Sequence, residues 1–259
     1  MLPFVNLSAD AENEYFADGI TEDVIAHLSK MRALKVISRT SVMPFKRSTE
    51  SLQVIAAKLG ATTLLEGSVR RSRDRVRIVA QLIDADSDQH VWSETYDRDL
   101  TDIFEIQTDV ALQIAAALKA ELSLDEQTRV RKEPTSDLAA YRLYLQGRHW
   151  FVKYTASAMR EAISYYERAI AIDPNYALAH VGVSMAYTEL GEAGPLEPEV
   201  AFPRARAAGA AALRLDPSLG EAHSTVAYLD MCNFDWARAE QRFKRALELS
   251  PSSADIYDL

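Results

Sequence analysis

The chain has 259 residues, long enough for two domains with cores of their own, and a composition of 48% hydrophobic and 26% charged residues that is ordinary for a globular protein. Residues 1–132 carry 17 Lys+Arg against 21 Asp+Glu and residues 133–259 carry 12 against 17, for a net charge of −9, which argues against binding a phosphate backbone. The single cysteine, Cys232, excludes an internal disulfide and a cysteine-based zinc cluster. It fits a reducing compartment, and equally a periplasmic protein without disulfides.

No run of about 18 apolar residues is present, so no membrane-spanning helix is expected. Nor does a basic-then-apolar leader open the chain. Met1-Leu2-Pro3-Phe4 reads like the middle of a strand and Tyr257-Asp258-Leu259 like the start of a further repeat, which suggests a fragment cut at both ends.

In chain order, Leu2–Leu7 is a short strand candidate. Phe16, Ile20, Val24, Leu28 and Met31 then fall at helical spacing, with Gly19 a candidate break and Thr21 a candidate cap for a restart. Leu34–Ser38 reads as a second strand. Leu52, Ile55, Ala56 and Leu59 form a helical stripe that Gly60 would end. Thr62–Arg71, Arg75–Ile83 and Gln89–Tyr96 follow as three strands, the first two joined by a tight hairpin at Ser72-Arg73-Asp74. Ile103, Ile106, Val110, Ile114 and Leu118 make a long amphipathic helix. The order β-α-β-α-β-β-β-α predicts a mixed sheet with helices on it. The polar segment Arg131–Ser136, with Pro134 inside it, marks a domain boundary after residue 132.

Beyond that boundary one alanine-rich pattern recurs. Ala162, Tyr166, Ala169 and Pro174 return as Ala205, Gly209, Ala212 and Pro217, and again as Ala239, Phe243, Ala246 and Pro251. The last two prolines are 34 residues apart and the first two 43, one period with nine residues inserted. A period of about 34, with small residues at a helix crossing and a proline at the exit, is the tetratricopeptide signature. About three repeats are expected over 133–259, a fourth being truncated. The segment Gly191–Pro198, with two glycines and two prolines, reads as a loop inserted between the helices of repeat two. The end of such an array exposes apolar surface, which predicts a homodimer.

Four motifs in residues 1–132, Pro3-Phe4-Val5-Asn6-Leu7-Ser8, Tyr15–Asp23 (YFADGITED), Leu65-Glu66-Gly67-Ser68-Val69-Arg70 and Tyr96-Asp97-Arg98-Asp99-Leu100, resemble the TolB-amino-terminal-like (FlgO-like) domain. With the repeats, the resemblance covers essentially the whole chain. It implies an α+β fold, a mixed α/β sandwich followed by an all-α solenoid. It also implies a bacterial signalling context, since such a pair commonly follows a class III nucleotide cyclase or a winged-helix regulator domain. The FlgO-like relatives add a cell-envelope adaptor as a third context. The family supplies no catalytic residues, and the leading residues of its first strand are missing here, so that strand is expected to be frayed.

Residues that suggest chemistry have plainer explanations. Arg70, Arg71, Arg73, Arg75 and Arg77 crowd one hairpin, but no aromatic is interleaved to stack bases, and carboxylates are the expected partners. Asp84, Asp86 and Asp88 imitate a calcium loop, yet Gln89 and Thr95 stand where the glycine and glutamate of an EF-hand belong. His180 and His223 share one repeat position and read as core packing. No nucleophile elbow, phosphate loop or dinucleotide fingerprint occurs, so no active site, cofactor or metal is expected in this chain.

The surface with a functional reading is the row of first helices, which in such arrays lines a groove for a peptide or protein partner. Alignment on the prolines puts Tyr144, Arg148 and Phe151 there in repeat one, Val181, Met185 and Thr188 in repeat two, and Ser224, Tyr228 and Met231 in repeat three. Packing against neighbouring elements is the competing role for these residues.

Overall fold

The structure, a computed structural model, describes residues 1–8 and 13–257. It forms two compact units, one of Met1–Lys132 with Ser252–Ala254 and one built on Glu133–Pro251.

In the first unit, β1 (Val5–Asn6), α1 (Glu14–Ser29), the single turn α2 (Arg39–Val42) and α3 (Leu52–Leu59) precede β2 (Thr63–Ser72), β3 (Arg75–Asp84) and β4 (Gln89–Asp99). Helices α4 (Ile103–Ala117) and α5 (Leu124–Arg131) complete it. The strand order is β1-β2-β3-β4, with β1 parallel to β2 and the other pairs antiparallel. Leu65, Gly67 and Val69 of β2 lie opposite Leu82, Ala80 and Ile78 of β3. Alternation puts all six on one face, and the large side chains among them are buried there. Phe4, Phe16, Ile20, Ile103 and Ile106 are fully buried as well, each such side chain contributing about 1.5–3 kcal/mol. On the opposite face Leu64 packs with Ile55 and Ala56 of α3.

Three local expectations change. Helix α1 runs through Gly19 without a break. Thr21 is no cap: its hydroxyl donates to the Ala17 carbonyl (2.9 Å) and accepts from the Phe4 amide (2.9 Å), fastening α1 to the first segment. Leu34–Ser38 is not a strand and pairs with none of the four strands of the sheet. Helix α5 was missed altogether. It opens with a capping box, Ser123 accepting from the Glu126 amide while the Glu126 carboxylate accepts from the Ser123 amide. The first strand is short, but the amides of Leu2 and Leu7 extend its bonding to β2.

The second unit consists of antiparallel helix pairs in series: α6 (Leu138–Phe151) with α7 (Ala156–Ile172), α8 (Ala177–Glu192) with α9 (Pro198–Leu215), and α10 (Gly220–Cys232) with α11 (Trp236–Leu249). A short α12 (Ala254–Tyr257) follows. The Tyr257 side chain, expected at a bulky first-helix position, and residues 258–259 lie outside the described residues. Ala162, Ala169, Ala205, Ala212, Ala239 and Ala246 are all buried at the helix crossings, where a methyl group lets the axes approach. The inserted residues of repeat two do not make a large loop. Helix α8 has 16 residues against 13 in α10, and α9 has 18 against 14 in α11. Most of the insertion therefore lengthens both helices, leaving only 193–197 between them.

Candidate functional site

The first helices α6, α8 and α10 lie side by side, with α7, α9 and α11 as their partners. Of the nine side chains aligned to their common face, the structure separates two groups. Tyr144, Val181, Thr188 and Ser224 are buried, which corrects their assignment to an open groove. The Tyr144 ring packs against Tyr166 and Tyr176, with centroids at 5.8 and 5.1 Å. Val181 belongs to a cluster with Ala177, Ala212, Leu219 and Ala222. Thr188 and Ser224 turn their hydroxyls to the carbonyls of Ser184 and Glu221. Tyr144 and Val181 are covered by side chains of neighbouring elements, which spacing alone does not show.

The other five remain accessible. Met185 is 39% exposed, and Arg148, Phe151, Tyr228 and Met231 are half-buried. The Arg148 guanidinium lies 5.6 Å from the centre of the Tyr144 ring, and Phe151 packs on a cluster of Met159, Ile163, Ala186 and Leu190. The five are spread over all three first helices, with Tyr228 and Met231 on α10. There the Tyr228 hydroxyl donates to the Glu192 carboxylate (2.8 and 2.9 Å), and Cys232 Sγ lies 3.4 Å from the same group. Burial, then the Glu192 charge, push the Cys232 thiol up to about 11. It is a protonated, unreactive thiol at neutral pH. Sequence reasoning missed Glu192 in this role, although it follows Met185 by two helical turns.

His180 and His223 are not core residues. Each is half-buried, and its Nε2–H donates to the carbonyl of the proline six residues earlier, Pro174 at 3.2 Å and Pro217 at 3.0 Å. The shared repeat position therefore serves the turn between repeats. On the first unit's hairpin, Arg75 pairs with Asp97 (2.6 Å) and Asp99 (3.2 Å) across the ladder, and Arg71 lies over the Phe16 ring. Asp84 accepts from the amide and hydroxyl of Ser87, the ordinary chemistry of an Asp turn. Among the described residues no helix is long and apolar enough to cross a membrane.

These observations define the class: a small α+β unit with a four-stranded sheet, and a tetratricopeptide-like series of helix pairs with an accessible first-helix face. No protein-family model matches the chain. It is similar to a protein named putative adenylate cyclase 3 of Rhizobium meliloti (strain 1021), 42% identical over 185 residues, which are 71% of this chain and 32% of that protein. It is also similar to the transcriptional regulator HilA of Salmonella typhimurium, 24% identical over 114 residues, 44% of this chain and 21% of that protein. The chain thus spans about a third or less of each of these relatives. Among solved structures, the first tetratricopeptide domain of Spaghetti (RPAP3), bound to an HSP90 peptide, aligns with a TM-score of 0.40 and 22% identity, covering 46% of this chain and 88% of that one.

Proposed function

We propose that this chain is a non-catalytic regulatory region of a bacterial signalling protein, which captures a protein or peptide partner on the first-helix face of its repeats. The observation that carries the reading is the accessible apolar surface of Met185, Tyr228 and Met231 on adjacent helices α8 and α10. Methionine and tyrosine side chains suit recognition because they offer large, adaptable contact area. Residues 1–132 form the TolB-amino-terminal-like domain in this reading, and residues 133–259 the repeats.

The 42% identity to a part of a protein named as an adenylate cyclase favours a nucleotide cyclase as the effector to which binding is transmitted. The weaker likeness to HilA supports a transcriptional regulator as the second reading. Two measurements test these points. Sequencing the gene in frame upstream of the Met1 codon should reveal a cyclase domain; a DNA-binding domain there would favour the second reading, and a signal peptide the envelope adaptor. A photo-crosslinking amino acid at Met185 or Met231 should capture the same discrete partner in cells, whereas one at Arg238, exposed on α11, should not. Equal capture from all three positions would remove the face assignment.

A further inference from the structure

The face of α8 and α10 carries a group of carboxylates. Glu189 and Glu192 follow Met185 at one and two turns along α8, and Glu221 lies two turns before Tyr228 on α10, so all share the rows that present Met185 and Tyr228. Glu189 is half-buried and Glu192 exposed. One carboxylate oxygen of Glu221, Oε2, is buried without a hydrogen-bond partner. Glu192 accepts from the neutral Tyr228 hydroxyl, and the charge that acts on Glu189 is that of Glu192, of the same sign. The same unit treats a structural carboxylate differently: Asp230, 1% exposed, is clamped by Arg206 at 2.7 Å and Arg242 at 2.9 Å. Burial, and then the neighbouring Glu192, push the Glu189 carboxyl above its ordinary value, the direction a nearby cation would reverse.

We propose, building on the reading of this face as a partner surface, that its occupant is a segment of a second protein carrying an arginine or lysine beside an apolar side chain. The cation would lie against Glu189 and Glu192, and the apolar side chain on Met185 and Met231. Such a segment supplies a counter-charge and covers the exposed thioether together. An acidic segment would meet like charge at the same position, which is strongly unfavourable once water is excluded. The excess of 17 Asp+Glu over 12 Lys+Arg in residues 133–259 adds a long-range attraction for a basic partner. A metal ion is the poorer occupant, since no group of three or more His, Cys, Asp or Glu residues gathers among the described residues.

The test is to select random dodecapeptides displayed on phage against the 259-residue chain and to measure the winners in solution as synthetic peptides. Enriched peptides should carry Arg or Lys next to Leu, Ile, Met or Phe. Their affinity should fall as salt is raised, and by about tenfold in the Glu189→Gln/Glu192→Gln variant, whose fold is checked by circular dichroism. Met185→Ala should weaken the same peptides. Acidic or uncharged winners that still depend on Met185 would overturn the charge inference and leave the face reading standing. No enrichment, or winners indifferent to all these substitutions, would overturn both.

Discussion

The Tyr166 ring of α7 lies so close to Gly147 of α6 that a methyl group there would fall 2.5 Å from its Cε1 atom. On its other side Gly182 of α8 approaches equally, where a Cβ would lie 2.6 Å from the ring Cζ. Two glycines on successive first helices thus make the slot that one tyrosine fills. Gly147→Ala and Gly182→Ala should each destabilise the chain by about 1–3 kcal/mol through overpacking, read as a lower urea midpoint. Alanine is otherwise the better helix former by about 1 kcal/mol, so a neutral or stabilising result would show that the ring can move aside.

Asp230 makes the second prediction. It is buried on α10 and joins Arg206 of α9 to Arg242 of α11. Asp230→Ala should cost about 2–4 kcal/mol, the lower part of that range being favoured because both arginines reach water once released. Arg206→Ala should cost less than Asp230→Ala, since Arg242 would still neutralise the carboxylate. Chemical denaturation of both variants checks the order, and reversal of it would mean that Arg206 matters mainly through its bond to the Leu229 carbonyl.

Much of this fold was legible because period is a physical signal. Val76, Ile78, Ala80 and Leu82 alternate and form one buried face of β3. The recurring alanines mark crossings where only small side chains fit. Gly67 of the LEGSV motif has a similar cause, because a Cβ there would meet the Val79 carbonyl and come within 2.8 Å of the Phe4 ring. Strand pairing and exposure were not legible. Leu34, Val36 and Ile37 have strand-like composition, but which edge is open depends on the whole sheet. Helix α5 carries too few apolar residues to show a period, and its signal was the Ser123/Glu126 capping pair alone. On the candidate face, helical spacing groups nine residues that the structure divides into four buried and five accessible. Spacing could not say which of them neighbouring side chains would cover.

That capping pair has a measurable consequence. Glu126 also accepts a hydrogen bond from the Arg32 amide at 2.8 Å, so it anchors the start of α5 to the segment after α1. Ser123→Ala should cost about 1 kcal/mol. Glu126→Ala should cost more, since two backbone donors lose their acceptor. Faster amide exchange confined to residues 124–131 and 30–34 would confirm that the loss is local. A loss spread over the β-sheet would contradict it.

His27 supplies a pH dependence. The ring is 7% exposed with Nδ1 lacking a hydrogen-bond partner, and burial, then the Lys30 charge, lower its pKa from 6.5 to about 3. The folded state keeps the ring neutral while the unfolded chain takes up a proton below about 6.5. The unfolded state therefore binds more protons in that window, and stability falls as pH drops from 6.5 towards 3. The slope from this group approaches about 1.4 kcal/mol per pH unit once the unfolded histidine is protonated. His223, whose pKa is lowered mainly by burial, adds in the same sense. Between pH 6.5 and 5 carboxylates contribute little, so His27→Gln should flatten that part of the profile. An unchanged slope in the variant would assign the effect elsewhere.

Tyr144 tests the division of the first-helix face most directly. Its ring is the centre of an aromatic group with Tyr166 and Tyr176, and the Arg148 guanidinium covers it. Truncation to Ala should leave a cavity and cost about 3–5 kcal/mol, the range for removing a large buried aromatic. Met185→Ala, at a side chain 39% exposed, should change stability by less than about 0.5 kcal/mol while weakening partner binding. Measured together, the two variants separate packing from recognition. If Tyr144→Ala melted like the unsubstituted chain and lost only binding, tyrosine at that position would be a contact residue after all, and the aromatic group beneath it would contribute nothing to the core.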